Sequence, residues 1–505
     1  MSKSILKRQP ILAFSLSLLG FVLSLPATAQ TSQLERRITD ASRAFVGSAA
    51  IVVTGTDSGL KQEVKSNDQG YYAVPLLPPG QYEIAVTKSG FKPLTRTGIV
   101  LETAVTTTVD LELEVGGVNE TVIVEAAAPL LQPETSSVAD VVDGQSIQDL
   151  PLVDRRAAQL IGLNGFVVQN GAGLGSTFGI AGGRANNAMY TLDGKSTQNL
   201  PNIGVATLAY DPPVESLQEF NVSVSNYAAE LGRTGGGVIQ MTTKSGTNEF
   251  HGSAYEFFRN NVLDARTFFA AKNPILRYNL FGASVGGPIR KNKTFFFYNY
   301  EGLRDITYVA TILGVPTVAE TQDNFSADKT IVKDPVTHEP FPGNMIPASM
   351  LDPVGAKLAS FFPAPNIPDQ ASGHNNFIAN QANGTIGNNH IARIDHTFRE
   401  KDRISGRFVG YTTPTFTGPI FSVAAADPDA VKAHTSYYNV TGTWYHDFSP
   451  TVFNEFRTGF DLRSSHTYSS GAEFDLNEQI GLSGVDPSFA PNVVVPGYTQ
   501  MGTTT

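Results

Sequence analysis

The C-terminal half of the chain alternates hydrophobic and polar residues with a period of two. In residues 437–447 the hydrophobic positions share one face and the polar positions share the other. The first set is Tyr438, Val440 and Trp444, and the opposite set is Asn439, Thr441 and Thr443. Such alternation is typical of β-strands with one face in an apolar environment. It predicts seven strands, near residues 251–259, 278–287, 294–303, 389–398, 403–412, 434–447 and 451–463.

The connections between these predicted strands alternate between long and short. PIRKNK, REKD and FSP are the short ones, and the long ones run to roughly 18, 85 and 21 residues. Membrane-spanning barrels have short periplasmic turns, longer outer loops and strands of about 9–11 residues. The pattern therefore predicts an outer-membrane β-barrel whose hydrophobic face contacts lipid.

The stretch TFFFYNYEG, residues 294–302, places five aromatic rings beside the PIRKNK turn. Phe296 and Tyr298 lie on the predicted lipid face, where they would join the aromatic girdle at the periplasmic interface. Phe295 and Phe297 fall on the polar face and break the alternation. This strand is therefore the least regular of the seven.

The N-terminal region predicts a small β-sandwich over residues 36–115. Its strands are AIVVTG, KQEVKS, YYAVPL, QYEIAVTK and TTTVDLELEV. Turns at residues 67–70 and 78–80 separate them, because proline presets φ and glycine adopts positive φ without strain. The stretch NDQGYYAVPLLPPGQYEIAVTKSGF resembles the carboxypeptidase regulatory-like domain, which is also grouped with carbohydrate-binding-like folds.

Two regions lie between the sandwich and the barrel. Residues 116–134 predict a linker, in which ETVIVEA can extend and add a strand to the sheet edge of another protein. The same letters also suit an ordinary strand. Residues 135–246 are rich in glycine and mix strands with a helix, and Asp154 is predicted to cap the helix over residues 155–160.

The first 29 residues are typical of an export signal. A basic head precedes the apolar run of residues 11–25, and small residues then lead to a predicted cleavage between Ala29 and Gln30. The alternative is a membrane anchor, but a spanning helix needs roughly 20 apolar residues and this run is shorter.

Composition excludes several classes of protein. The 505 residues include no cysteine, so disulfides and thiolate metal sites are excluded. A formal net charge of −10 argues against nucleic-acid binding. No histidine begins an HxxE pattern, and His390 and His396 lie on one predicted strand face with Asp395 opposite. We therefore predict no enzyme activity, no catalytic residues, no cofactor and no metal.

The order of these regions resembles the TonB-dependent outer-membrane receptors, and within them the Oar-like group. The matching stretches are ETVIVEA, DLPLVDRRAAQLIGLNG, NNAMYTLDG, GGGVIQMTTKSGTNEFHGSAYEFFRN, NLFGASVGGPIRKNKTFFFYNYEGLR and DPVTHEPFPGNMIPASMLDPVGAKLASFFPAPN. The resemblance implies a plug domain over residues 135–246, seated inside a barrel of roughly 22 strands that begins at residue 247. It also implies a TonB box formed by Glu120, Thr121, Val122, Ile123 and Val124.

The predicted fold is therefore mainly β. It comprises an N-terminal sandwich, an α/β plug, and the first seven or so strands of an incomplete barrel spanning residues 247–505. Since bacterial single-chain barrels have an even number of strands and the chain ends at MGTTT, we expect a fragment of a longer protein.

The predicted location is the outer membrane of a Gram-negative bacterium, with the N-terminal domain in the periplasm. The partners implied by the resemblance are TonB with its inner-membrane energising complex, the outer-membrane lipid, and an extracellular ligand such as a carbohydrate, a siderophore or a peptide. Residues 306–388 would meet that ligand, and their polar, proline-rich composition predicts that they are poor at forming a core of their own. The alternative is a secreted carbohydrate-binding or adhesive protein without transport activity.

Overall fold

The computed structural model describes most of the chain downstream of residue 31. The described residues are 32–103, 105–117, 122–125, 138–170, 177–184, 187–202, 205–225, 227, 231, 234–266, 273–368, 370–421, 427, 430–449, 452–469, 479–484 and 492–502. The signal segment, with its cleavage position at Ala29 and Gln30, lies outside them, and so do Glu120 and Thr121 of the predicted box. Among the described helices, none combines the length and the hydrophobicity needed to span a bilayer.

The N-terminal domain is a sandwich of two β-sheets. Its strands are β1 (Ser32–Asp40), β2 (Ala50–Gly55), β3 (Lys61–Lys65), β4 (Tyr71–Leu77), β5 (Gly80–Thr87), β6 (Leu94–Leu101), β7 (Thr106–Thr108), β8 (Leu111–Leu113) and β9 (Val122–Glu125). One sheet has the order β4-β1-β7, with β8 also paired to β1, and the other has the order β3-β2-β5-β6-β9. Side chains such as Leu34, Ile51, Ile84 and Ile99 are fully buried and form the core between the sheets.

The turn predicted at residues 67–70 is confirmed. The Asn67 side-chain oxygen accepts hydrogen bonds from the backbone N–H groups of Gln69 and Tyr71, both at 3.0 Å. Gly70 has a φ of 69°, and a side chain there would collide with the carbonyl of Ile38. Glycine is therefore required at this position by both its conformation and its packing.

The middle domain, residues 138–243, combines a five-stranded sheet with short helices. Its strands are β10 (Val138–Asp143), β11 (Val167–Asn170), β12 (Thr177–Ile180), β13 (Met189–Leu192), β14 (Lys195–Ser196), β15 (Gln198–Asn202), β16 (Val205–Leu208), β17 (Leu217–Ser225) and β18 (Val238–Thr243). The helices are α1 (Gly144–Asp149), α2 (Ala158–Ile161) and a 3-10 turn at Val214–Ser216. The main sheet has the order β10-β17-β18-β13-β14, while β11 pairs with β12 and β15 with β16.

The prediction that Asp154 caps a helix over residues 155–160 is wrong. Helix α2 begins only at Ala158, because Arg155 has a φ of 47° and interrupts the helical path. The N–H of Ala158, at the start of the helix, donates a hydrogen bond of 3.1 Å to the carboxylate of Asp211, which is 53 positions away in the chain. Asp154 instead lies 3.5 Å from the guanidinium of Arg259.

The C-terminal part is a single antiparallel sheet of seven strands, here called the barrel sheet. The strands are β19 (His251–Asn260), β20 (Leu276–Arg290), β21 (Thr294–Leu313), β22 (Phe377–Arg399), β23 (Asp402–Thr417), β24 (Val431–Ser449) and β25 (Val452–Ser469). Each strand pairs with the next one along the chain. The seven predicted strands are confirmed, but β20 to β25 are 15 to 23 residues long. They are therefore longer than the roughly 9–11 residues that a strand needs to cross a bilayer.

The long segment between β21 and β22 contains short helical elements and packs against other segments. The segment at residues 314–376 contains α3 (Pro353–Ala359) and 3-10 turns at Glu320–Gln322, Pro342–Asn344 and Ala348–Met350. Its Phe361 is buried with Phe421 and Met501, which come from other segments. The small core around Phe361 therefore depends on apolar residues from several segments, which agrees with the prediction that this region is poor at forming a core of its own.

Candidate functional site

The barrel sheet has an apolar outer face and a polar inner face. Val440 and Phe460 point outward and are 53% and 65% exposed, whereas Asn439 and Thr441 point inward and are 1% and 4% exposed. This confirms the alternation read from the sequence. The inner face packs against the middle domain, so its contacts define the first part of the site.

Asp193 links the middle domain to two arginines of the barrel sheet. Its carboxylate lies 2.7 Å from the guanidinium of Arg407 and 3.6 Å from that of Arg393. The backbone N–H and hydroxyl of Thr243 also donate to it, at 2.9 and 2.8 Å. Burial by itself raises the pKa of Asp193, but the two arginines and Thr243 outweigh this effect and lower it. Asp193 is therefore held as a carboxylate between the two domains.

The conformation of the turn after β13 places Asp193 in this position. Asp193 and Gly194 have φ values of 45° and 76°, which suits an Asp-Gly turn between two short antiparallel strands. A side chain at Gly194 would collide with the guanidinium of Arg457. The next residue, Lys195, forms an ion pair with Asp461 of β25. The Asp-Gly-Lys turn is thus fitted closely to the inner face of the barrel sheet.

Tyr210 makes a second contact between the middle domain and the barrel sheet. Its hydroxyl donates a hydrogen bond to the Asn389 side-chain oxygen at 2.6 Å. Its ring stacks on Tyr437 with centroids 5.4 Å apart and meets Tyr411 edge to face at 5.8 Å. The tyrosine is almost fully buried, so the contact combines apolar area with one oriented hydrogen bond.

The sandwich packs against the middle domain through Thr103. The Thr103 N–H donates to the Glu219 carboxylate at 2.5 Å, and its hydroxyl lies 3.0 Å from that of Thr242. The Asn221 amide donates to the Thr103 carbonyl at 3.3 Å. Burial raises the pKa of Glu219 to about 7, although the hydrogen bonds from Thr103 lower it in part. One buried loop residue of the sandwich is thus held by three side chains of the middle domain.

The sandwich also contacts the end of the barrel sheet that carries the short turns. Gln62 donates to the carboxylate of Asp447 at 3.2 Å, and Arg403 donates to the carbonyl of Leu76. A cavity of about 200 Å³ lies where the three domains meet, lined among others by Tyr82, Thr243 and Arg457. The three domains therefore meet at one end of the barrel sheet.

The structure places the described part of the predicted TonB box in strand β9. Val122 N–H donates to the carbonyl of Pro93 at 2.9 Å, and β9 runs parallel to β6 of the sandwich. Val122 packs on the sandwich core, whereas Ile123 is 72% exposed and Val124 is 40% exposed. The extended conformation agrees with the predicted role, and contact of these residues with TonB remains a prediction.

A comparison with protein families identifies the C-terminal half. The sequence profile described as outer membrane beta barrel domain matches residues 242–505, more than half of the chain. The chain belongs to this family. Membership in the outer membrane beta barrel family assigns the chain to the outer membrane. A second profile, for the carboxypeptidase regulatory-like domain, matches residues 33–114.

The predicted resemblance to the Oar-like group is also confirmed. The TonB-dependent transporter Oar of Myxococcus xanthus is 31% identical over 301 residues. These residues are 56% of this chain and 27% of that protein, so the chain spans about a quarter of the length of this curated relative.

Solved structures of outer-membrane proteins are also similar to this chain. The siderophore receptor PirA from Acinetobacter baumannii has a TM-score of 0.39 at 15% identity, covering 66% of this chain and 41% of that one. The outer membrane transporter YddB from Escherichia coli has a TM-score of 0.44 at 13% identity, covering 66% and 40%. Since both TM-scores lie below 0.5, the assignment rests on the sequence matches.

Several residues of the site were not predicted from the sequence. Asp193 lies in the stretch NNAMYTLDG, but the sequence does not indicate its contacts with β22 and β23. An Asp-Gly pair between two short strands, together with arginines on the polar face of barrel strands, is the signal that could have indicated the contact. Thr103 gave no sequence signal. In the part of the chain that the structure describes, no three His, Asp or Glu residues are placed to hold a metal ion.

Proposed function

We propose that this chain is part of a receptor that moves a ligand across the outer membrane with energy delivered by TonB. In this proposal residues 135–246 are the plug, residues 247–505 contribute to the barrel, and residues 120–124 are the TonB box. The observation that supports the proposal is the middle domain on the inner face of a sheet whose outer face is apolar and exposed, preceded in the chain by an exposed extended strand. The similarity to the transporter Oar supports it.

Some of the contacts between the middle domain and the barrel sheet suit a domain that moves. Asp193 with Arg407, Lys195 with Asp461 and Tyr210 with Asn389 are polar pairs. Water can replace each partner when such a pair separates, whereas separating an apolar core exposes surface that water cannot satisfy. These polar pairs can therefore separate at lower cost than the apolar contacts beside them, which Ile391 and Val409 of the barrel sheet make with the core of the middle domain.

The proposed direction of transport follows from the two ends of the barrel sheet. The sandwich contacts the end with the short turns, and short turns are periplasmic in outer-membrane barrels. The long segments, including residues 314–376, lie at the other end and would meet the extracellular ligand. A carbohydrate, a siderophore and a peptide remain the ligand classes proposed. The adhesive alternative is not favoured, because the curated relative is a transporter.

The test of the box uses two substitutions of one residue. Because Val122 directs its N–H to the sandwich, Ile123 directs its N–H to the opposite edge of β9, where a TonB strand would pair. Ile123→Pro removes that donor, and Ile123→Ala shortens the side chain but keeps it. We expect the affinity for the purified periplasmic domain of TonB to fall at least tenfold in the proline variant.

The alanine variant serves as the control and should bind within about threefold of the parent chain, because strand addition depends mainly on the backbone. Binding can be measured by biolayer interferometry with the protein in detergent micelles. Equal affinity of the proline and alanine variants would contradict the assignment of the box.

A further inference from the structure

The box strand is built into the sheet of the N-terminal sandwich. We propose that TonB adds its strand to the exposed edge of β9 while β9 remains paired with β6, so that the sandwich is part of the docking surface. This inference rests on the proposed function, because it assumes that residues 120–124 are the TonB box. It assigns to the sandwich the role of presenting the box to its partner.

The pairing of β9 with β6 covers all four residues of β9. Val122, Ile123, Val124 and Glu125 lie opposite Leu94, Thr95, Arg96 and Thr97 in a parallel register. This makes β9 the last strand of the order β3-β2-β5-β6-β9. One edge of β9 is therefore occupied by β6, and among the described strands none pairs with its other edge.

The backbone groups of β9 divide between these two edges. Val122 donates to Pro93 on the β6 side, and successive residues of a strand direct their N–H and C=O groups to alternate sides. The backbone N–H and C=O groups of Val124 thus point toward β6, as those of Val122 do. The backbone groups of Ile123 and Glu125 point toward the open edge of β9. The outward groups can be satisfied by water or by the backbone of an added strand, and an added strand requires no change in the β6 pairing.

The side chains of β9 also divide in a way that suits a partner strand. Val122 packs on the sandwich core and fixes the strand, whereas Ile123 is 72% exposed beside an open edge. Proteins normally protect an open edge with charged residues, proline or a bulge, because exposed β-branched edges attract other strands. An exposed isoleucine here favours a partner that covers the edge, and under the proposed function that partner is TonB.

Pairing with β6 prepares the box for binding. A free peptide loses backbone entropy when it becomes a strand, whereas β9 already has the extended conformation. Gln62 of the sandwich contacts Asp447 of the barrel sheet, and Arg403 of the barrel sheet contacts the carbonyl of Leu76 in the sandwich. These two contacts hold the sandwich at the short-turn end of the barrel sheet. The open edge of β9 is therefore carried on the periplasmic side of the membrane, where TonB approaches.

The test locks β9 onto the sandwich with a disulfide. Thr95 and Ile123 are register partners, and neighbouring strands lie about 4.8 Å apart, within the Cα spacing that a disulfide accepts. Because the chain has no cysteine, the double variant Thr95→Cys, Ile123→Cys contains only this pair. We expect oxidation to close the bond and the oxidised protein to bind the periplasmic domain of TonB at least as tightly as the reduced protein.

The possible results separate this inference from the proposed function. Binding that is lost on oxidation and restored by reduction would show that the box must leave the sandwich, and would overturn the inference alone. Failure of the disulfide to form would overturn the pairing on which it rests. Absence of binding in both redox states, with the single variant Ile123→Cys also inactive, would overturn the box and the inference together.

Discussion

Asp193 shows how a single residue can position a domain through its charge. The carboxylate is nearly surrounded by donors from Arg407, Arg393 and Thr243. Because Arg407 is itself buried, its charge depends on this partner. Removing one member of a buried ion pair leaves the other charge uncompensated, which costs about 3–5 kcal/mol.

We therefore predict that Asp193→Asn lowers the free energy of unfolding by about 3 kcal/mol. Asparagine tolerates the positive φ of this turn, so the loss would report the charge rather than the backbone. Urea titration of the protein in lipid vesicles measures the change. Asp68→Asn is the matched control, because Asp68 lies in an exposed turn and its substitution should change stability by no more than about 0.5 kcal/mol. Similar effects of the two substitutions would contradict the role of Asp193.

Glu219 gives the contact between the sandwich and the middle domain a dependence on pH. Its pKa is about 7 in the folded protein and near 4.5 without burial, so the folded state holds the proton more tightly. The resulting stabilisation is fully present below pH 4.5 and is lost as the pH rises to about 7. A difference of this size between the folded and unfolded pKa values corresponds to roughly 3 kcal/mol in the free energy of unfolding.

We predict that Glu219→Gln flattens the fall in stability between pH 4.5 and 7. Thermal unfolding midpoints across this range, compared between the parent chain and the variant, measure the effect. Asp211, whose pKa burial raises to about 6, contributes a similar slope to both proteins and cancels in the comparison. Parallel pH profiles for the two proteins would exclude Glu219 as the source.

At the scale of elements, the strands of the barrel sheet could be predicted wherever the alternation held. Strand β21 was predicted to end near residue 303, but it continues to Leu313. Along this extension Val309 and Ile312 lie on opposite faces of the strand, and both are about half exposed. Hydrophobic residues therefore no longer alternate with polar ones here. The sequence signal therefore ends before the strand does, because the hydrogen-bonded pairing with β22 continues to Leu313.

The irregular aromatic residues have a related explanation. Phe295 and Phe297 broke the predicted alternation, and both are buried on the inner face of the barrel sheet. A water-filled barrel would disfavour rings there, but this interior is packed against protein, and Phe295 lines the cavity between the three domains. Alternation alone cannot distinguish a filled interior from an empty one.

The contacts of the site could not be predicted, because they join residues that are far apart in the chain. Asp193 and Arg407 are separated by 214 positions, and Thr103 and Glu219 by 116. Propensity and periodicity depend on residues that are close together in the chain, so they cannot indicate contacts between residues that are far apart in it. Strand β9 was predicted as an extended segment, but its parallel pairing with β6 required the structure.

At the scale of the whole molecule, the solvent that the outer face of the barrel sheet meets decides how its exposed residues respond to substitution. Val440 on the barrel sheet and Val336 on an outer segment are both exposed, at 53% and 83%. In water, an arginine at either position would change the free energy of unfolding by no more than about 0.5 kcal/mol. In a bilayer only Val440 lies in hydrocarbon, where arginine costs about 2–4 kcal/mol at the midplane and less towards the interfaces.

We therefore predict that Val440→Arg destabilises the protein by about 2 kcal/mol in lipid vesicles, while Val336→Arg has no measurable effect. Urea titration monitored by tryptophan fluorescence is suitable, because Trp444 is the only tryptophan and shares the outward face of β24 with Val440. The difference between the two arginine variants should shrink in short-chain detergent micelles, which let water reach the introduced charge. Equal stability of both variants in vesicles would mean that the exposed face of the barrel sheet does not contact lipid.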